Sequence, residues 1–166
     1  VPSYDMEKFL PDCLGSLVVS PELMDKLEVL VINDGSKDRT GEIARDFALK
    51  YPQTFKAIDK PNGHYGSCVN RGLGEATGVF VKILDADDRL YTAALASYLA
   101  ALEGICASDR ERPDLILTDY DVVDVRRRTV SHRTCRHEPD VDLPLSDALQ
   151  SFVLVPMHAV TYRTGL

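Results

Sequence analysis

Leu27-Glu28-Val29-Leu30-Val31-Ile32-Asn33-Asp34-Gly35-Ser36 is the stretch that decides the fold. An apolar, β-branched run of strand length stops abruptly at a turn of Asn, Asp, Gly and Ser. Apolar residues on consecutive positions mark a strand buried on both faces, the kind found in parallel sheets. Upstream, Phe9, Leu10, Cys13, Leu14, Leu17 and Val18 fall at helical spacing. Downstream, Asp38 is placed to cap a helix carrying Ile43, Ala44, Phe47, Ala48 and Tyr51 on one face, stopped by Pro52. Thr54 to Ile58 reads as a strand, and Cys68, Val69, Leu73 and Ala76 as the buried face of a helix with Gly78 as its C-terminal cap. Val79 to Leu84 reads as a further buried strand and Ala93 to Ala107 as a further helix. This alternation predicts βαβ units, hence an α/β fold with a Rossmann-like, mostly parallel sheet covered on both faces. Beyond Pro113 the pattern loosens: Leu115 to Thr118 reads as a strand, and Tyr120 to Val125 alternates as a strand exposed on one side. Residues 1–112 and 113–166 are therefore read as a regular and a less regular region of one structural domain.

The 166 residues carry 19 Lys+Arg against 26 Asp+Glu, a net charge of −7, with 45% hydrophobic residues. That size and composition support a full core without disulfides or structural metal and exclude disordered and collagen-like classes. The longest small or apolar stretch, Ala93 to Leu102, falls short of the ~18 residues of a membrane span, and no basic-then-apolar leader opens the chain. The expectation is a cytoplasmic protein, not integral to a membrane, with the inner membrane face as a candidate contact. Cys13, Cys68, Cys106 and Cys135 form no C-x-x-C pair, so reduced thiols are expected rather than a zinc site. The acidic balance argues against nucleic acid as a partner. Locally, Arg126, Arg127, Arg128, Arg133 and Arg136 with His132 and His137 concentrate positive charge. Two readings of this cluster stay open: a solvated strand and turn, or a contact for an anionic acceptor or lipid headgroup.

In doubly wound sheets, ligands bind outside the carboxyl ends of the strands. The residues there are Asn33-Asp34-Gly35-Ser36, Asp59-Lys60-Pro61-Asn62-Gly63 and Asp85-Ala86-Asp87-Asp88. Three carboxylates within four residues repel one another unless solvated or neutralised, which makes the last group a candidate for a divalent cation. It lacks the alternating ligands, Gly and Glu of a calcium loop. Asp34 is suited to accept hydrogen bonds from a base or sugar while Gly35 lets the backbone approach. Asn62 to Ser67 leads into a helix whose free N–H groups suit phosphate, with His64 either a loop histidine or a phosphate donor.

The set Val1-Pro2-Ser3-Tyr4-Asp5, Val31 to Thr40, Asn62-Gly63 with Asn70-Arg71-Gly72 and Ala76-Thr77-Gly78, then Leu84 to Asp88, resembles the family 2 glycosyltransferases of the GT-A fold in order and spacing over Val1 to Asp88. The resemblance implies a nucleotide-sugar donor, a UDP-sugar foremost, and a divalent cation, Mg2+ or Mn2+. It also implies inversion at the anomeric carbon and a glycan, lipid-linked or polysaccharide acceptor, as in bacterial cell-wall assembly. It assigns Pro2, Tyr4 and Asp34 to the base and ribose, Asn62 to the donor loop, Asp85 to the ribose or sugar, Asp87 to the metal and Asp88 to the sugar or acceptor. Val69 stands where many members carry Arg, which shifts the expected phosphate contact to His64 or Arg71. The family's general base follows a segment that Met157 to Arg163 resembles, so it is expected beyond Leu166, with Asp119, Asp121 and Asp124 as substitutes. A chain ending there is expected to leave Phe152, Val153, Leu154 and Val155 exposed or in a homodimer contact. The alternatives are a sugar nucleotidyltransferase and a non-catalytic nucleotide- or carbohydrate-binding module.

Overall fold

The computed structural model describes residues 1–108, 112–124, 126, 128–134 and 157–165. The deciding run forms β2 (Val29–Asn33), buried at all five positions. It lies between two parallel neighbours, β1 (Pro2–Ser3) and β3 (Phe55–Asp59), with Ile32 opposite both Pro2 and Ile58. Successive side chains leave a strand on opposite faces. Val29 and Val31 accordingly enter a core with Leu10, Leu14, Ala44 and Phe55. Leu30 and Ile32 meet Cys68 on the other face. Helices α1 (Leu10–Gly15) and α3 (Thr40–Lys50) cover the first face, where Phe47, Tyr51 and Phe55 pack with ring centroids 5.5–6.3 Å apart. Helix α4 (His64–Glu75) covers the second, and the short α2 (Pro21–Met24) precedes β2. The α/β class, with a parallel sheet flanked by helices, is the one expected.

The run at 79–84 departs from expectation. Only Phe80–Lys82 is strand, β4, and it is half-buried. It pairs antiparallel with β8 (Val160–Arg163), which also pairs antiparallel with β5 (Leu115–Leu117), so β8 is the middle strand of a second sheet. Pro2 supplies a physical reason. The carbonyls of Val1 and Ser3 accept from the N–H groups of Ile32 and Asp34, so Pro2 faces the opposite edge of β1, where it has no N–H to give. An apolar cavity of about 430 Å3, lined by Ile32, Cys68, Val81, Leu95 and Leu99 among others, separates that edge from β4.

Two further expectations are corrected. Leu73 is 48% exposed rather than buried. Gly78 is not the cap of α4, which ends at Glu75 and passes through an extended Ala76. Helix α5 (Thr92–Ala107) buries Leu95 and Leu99. Strands β6 (Tyr120–Val123) and β7 (Thr129–Arg133) form a separate antiparallel hairpin, and a 3-10 turn (Met157–Ala159) leads into β8. Among the described residues no helix is long and apolar enough to cross a membrane. Val125, Arg127, Cys135, Arg136, His137 and the apolar 152–155 run lie outside the described residues.

Candidate functional site

The loops after β1 and β2 are stitched together at the carboxyl end of the parallel sheet. Asp5, at φ 51°, accepts from the Lys37 N–H at 2.8 Å, and its own N–H donates to Ser36 Oγ at 3.1 Å. The Met6 N–H donates to Thr40 Oγ1 at 2.7 Å. Asp38 accepts from the N–H groups of Thr40 (2.9 Å) and Glu7 (3.0 Å), so it ties the first loop to the start of α3, although the capping position itself is Arg39 and not Asp38 as expected. Burial pushes the Asp38 carboxyl up, but these bonds outweigh it and hold the group below the usual carboxylate range. Gly35 sits at φ +72°, and a Cβ there would stand 3.1 Å from the Asn62 nitrogen. Only glycine suits both that conformation and that approach.

Asp34 is 2% exposed. Its Oδ1 accepts from the Gly63 N–H at 2.9 Å and from Lys60 Nζ, while the Asn62 side chain donates to the Asp34 carbonyl at 3.1 Å. Lys60 Nζ also donates to Ser67 Oγ (2.8 Å) and the Pro61 carbonyl (2.7 Å). Burial raises the Asp34 carboxyl, yet Lys60 and the Gly63 N–H bring it below its ordinary value. Asp34, Asn62 and Gly63 are thus one unit, where the sequence reading placed them only at neighbouring strand ends. Lys60, to which the sequence reading gave no role, is its counter-ion. Tyr4 is 42% exposed beside these loops. Pro2 is half-buried in β1, and His64 opens α4 at φ +66° with its side chain exposed. Arg71 turns to Glu75 (2.9 Å), one helical turn on, rather than toward the acidic turn.

The acidic turn follows β4 and is closed by the Asp88 N–H donating to the Asp85 carbonyl at 3.0 Å. Asp85 accepts from the Tyr65 hydroxyl at 2.7 Å, which links the turn to the first helical residues of α4. Burial and this neighbouring carboxylate raise the Tyr65 hydroxyl above its ordinary pKa. Asp88 pairs with His158 Nδ1 at 2.9 Å. Asp85, Asp88 and His158 each offer a ligand atom within 4.8 Å of the other two. Two carboxylate oxygens and one imidazole nitrogen could together hold a divalent cation. Asp87, expected from the resemblance as the ligand, is exposed on the same turn. The sequence pattern gives His158 no role of its own within Met157 to Arg163. Below the turn, the Cys13 thiol donates to the Asp85 carbonyl at 3.6 Å and is pushed up to about 12, by burial first. Cys13, Cys68 and Cys106 are free thiols.

The three substitute bases are all engaged. Asp124 accepts from Arg128 through both backbone and side chain and closes the β6–β7 turn. Asp121 accepts from the Tyr91 hydroxyl and His132 Nδ1, each at 2.6 Å, and those bonds hold its carboxyl low. Asp119 lies 3.7 Å from His132 Nε2. The described part of the basic cluster is therefore partly neutralised from within.

The model for glycosyl transferase family 2 matches residues 1–133. The chain belongs to that family. Among relatives of family 2, EpsJ of Bacillus subtilis (strain 168), an uncharacterized glycosyltransferase, is 36% identical over 93 residues, 56% of this chain and 26% of EpsJ. The chain thus spans about a quarter of that relative's length. Among solved structures, residues 1–349 of S. aureus TarS in complex with UDP superpose with a TM-score of 0.60 at 21% identity, over 98% of this chain and 45% of that one. The mannosyltransferase PcManGT from Pyrobaculum calidifontis, in complex with GDP-Man and Mn2+, gives 0.58 at 24% identity over 75% and 34%. These likenesses establish the GT-A fold.

Proposed function

We propose that the chain is the donor-binding portion of a metal-assisted, inverting glycosyltransferase that moves a sugar from a nucleoside diphosphate to a glycan, lipid-linked or polysaccharide acceptor. The observation that carries this reading is the convergence of Asp85, Asp88 and His158 at the turn after β4, joined through Tyr65 to the start of α4. Residues 1–112 would bind donor, with Pro2, Tyr4 and the Asp34–Asn62 unit at the nucleoside and His64 or Arg71 toward the diphosphate. The region after 113 would face the acceptor. UDP in TarS and GDP-Man with Mn2+ in PcManGT support a nucleotide-sugar donor. A cation held by Asp85, Asp88 and His158, with Asp87 beside it, would stabilise negative charge on the leaving diphosphate. Asp121 and Asp124 have both carboxylate oxygens engaged, which disfavours these two as the proton acceptor.

Thermal melting with Mn2+ and a panel of nucleoside diphosphates tests the reading. A ligand at about 100 times its Kd adds ~2.7 kcal/mol, a rise of roughly 5–10 °C for a domain of this size. Release of free UDP from a UDP-sugar would then mark a transferase or hydrolase, and pyrophosphate from NTP plus sugar phosphate a nucleotidyltransferase. A panel in which no nucleoside diphosphate moves the midpoint overturns the proposal.

A further inference from the structure

The Asp85 side chain is oriented from outside its own turn. The Asp88 N–H and the Cys13 thiol both donate to the Asp85 carbonyl, at 3.0 and 3.6 Å, and so fix its backbone. Neither bond involves the carboxylate. Among the described residues, the hydrogen bond to that carboxylate comes from the Tyr65 hydroxyl, at 2.7 Å on Oδ1. Asp88, by contrast, has His158 for a partner at 2.9 Å. Asp85, Asp87 and Asp88 stand within four residues and repel one another, so a carboxylate among them without a tether turns away from its neighbours. Tyr65 itself stands on firm support. Its helix α4 buries Cys68 against Leu30 and Ile32 of β2. Ser67 Oγ, in the same first turn, accepts from Lys60 at 2.8 Å, and Lys60 pairs in turn with Asp34. The phenol is therefore held from the parallel sheet, while the carboxylate it holds belongs to the turn after β4.

We propose that Tyr65 is a positioning residue for the cation: by holding Oδ1 of Asp85, it aims that carboxylate at the place where Asp88 and His158 also offer ligand atoms. This rests on the transferase reading above, under which that place takes a divalent cation. Both contacts fit the carboxylate at once, because an ionised carboxylate has about four lone-pair sites and a phenol fills one. Ligands at metal sites are commonly oriented by a hydrogen bond from an outer residue, and losing such a partner costs roughly 10–100-fold in metal affinity. Preorganisation supplies the reason. A carboxylate already aimed gives up less rotational freedom when the cation arrives. The same bond makes Tyr65 a bridge between the two parts of the site, since the first turn of α4 also carries Ser67, the partner of Lys60. A cation that draws on Asp85 thus draws on the start of α4 as well.

The test compares the natural chain with Tyr65→Phe, which keeps the ring and removes the hydroxyl. Tyr65 is 46% exposed, so the variant is expected to fold, with a metal-free melting midpoint within about 3 °C of the natural one. Calorimetric titration with MnCl2 should show the Kd raised about tenfold in Tyr65→Phe. NMR with diamagnetic Mg2+ supplies a readout that a merely structural role would not move. In the natural chain, Mg2+ at saturation should shift the amides of 64–67 together with those of 85–88. In Tyr65→Phe the 85–88 shifts should persist and those at 64–67 vanish. A rise in the Mn2+ Kd below threefold, or shifts at 64–67 that survive the substitution, overturns the inference. A metal-free midpoint lowered by more than about 6 °C also overturns it, by assigning Tyr65 to the folding of α4 instead. The natural chain separates this failure from that of the underlying reading. Mn2+ uptake indifferent to Tyr65→Phe sinks the role of Tyr65 alone, whereas a natural chain that takes up no Mn2+ sinks the metal-assisted reading with it.

Discussion

Lys60→Met removes the ammonium that pairs with Asp34 and leaves its aliphatic stem nearly in place. The pair is deeply placed, with side-chain exposures of 14% for Lys60 and 3% for Asp34. Breaking a buried pair by removing one partner costs roughly 3–5 kcal/mol, because the remaining charge stays desolvated. Here the Gly63 N–H still donates to Asp34 Oδ1, which argues for the lower end, about 3 kcal/mol. For a chain of this length that is a fall in Tm of roughly 6–12 °C. The pH dependence carries a sign. In the natural chain the Asp34 carboxyl lies below its ordinary value, so its contribution is present above the unfolded pKa of about 3.9 and is lost as pH falls through the folded value. In Lys60→Met burial acts with its main opponent removed, the carboxyl rises, and the deficit is largest at neutral pH and shrinks toward pH 4. Asp34→Asn added to Lys60→Met takes out the stranded charge and should recover part of the loss. Calorimetric melts from pH 4 to 8 on the three chains measure this. A Lys60→Met midpoint within 1 °C of the natural chain at pH 7, or a double variant no more stable than the single one, refutes the reasoning.

Gly35→Ala forces a side chain into left-handed backbone space beside the Asn62 nitrogen; a loss of about 1–2 kcal/mol is expected, and a circular-dichroism melt unchanged within 1 °C would contradict it. His132 is raised above its ordinary value by Asp121 first, so the hairpin's share of stability is present below about pH 6.5 and lost as pH rises through the folded value. Tryptic cleavage near Arg126 and Arg128, normalised to a reference peptide, should quicken between pH 6 and 8.5, and His132→Gln should abolish the difference. His158→Ala should weaken Mn2+ at least about tenfold in calorimetry with the fold retained; unchanged affinity takes His158 out of the site. Asp87→Ala should abolish the Mn2+-dependent part of UDP binding and leave the metal-free melt unchanged or slightly raised, since one charge of a self-repelling group is gone. An unaltered Mn2+ dependence would clear Asp87 of that role.

Local patterning made half of this protein legible. β2 announced itself because a strand buried on both faces has no polar position to spare, and the Asn33–Ser36 turn marks its end unambiguously. The closeness of Asp34 to Asn62 and Gly63 follows from the parallel order of β2 and β3, which places both loops at one end. Lys60 escaped notice because a lysine in a loop reads as a solvated charge until a buried carboxylate is known to lie opposite. The second sheet was illegible for a different reason. Lys82 and Thr161 are 79 residues apart, and no period within either segment encodes their pairing. His158 was hidden by the same fact: it precedes its strand, where parallel topology would put it at the wrong end, but β8 runs antiparallel to β4, so the beginning of one meets the end of the other. Leu73 misled because helical spacing marks a face without saying whether anything covers it.

The central position of β8 in its sheet sets an order of assembly. β1, β2 and β3 with their helices draw on residues 1–75 and gain their contacts before the strands of the second sheet are made. β4 and β5 have no partner in each other; both wait for a strand made roughly 40 to 80 residues later. Until residues 157–163 arrive, the turn at 85–88 lacks the histidine that pairs with Asp88. On the function proposed above, a nascent chain of this kind would complete the Asp34–Asn62 unit before the grouping of Asp85, Asp88 and His158.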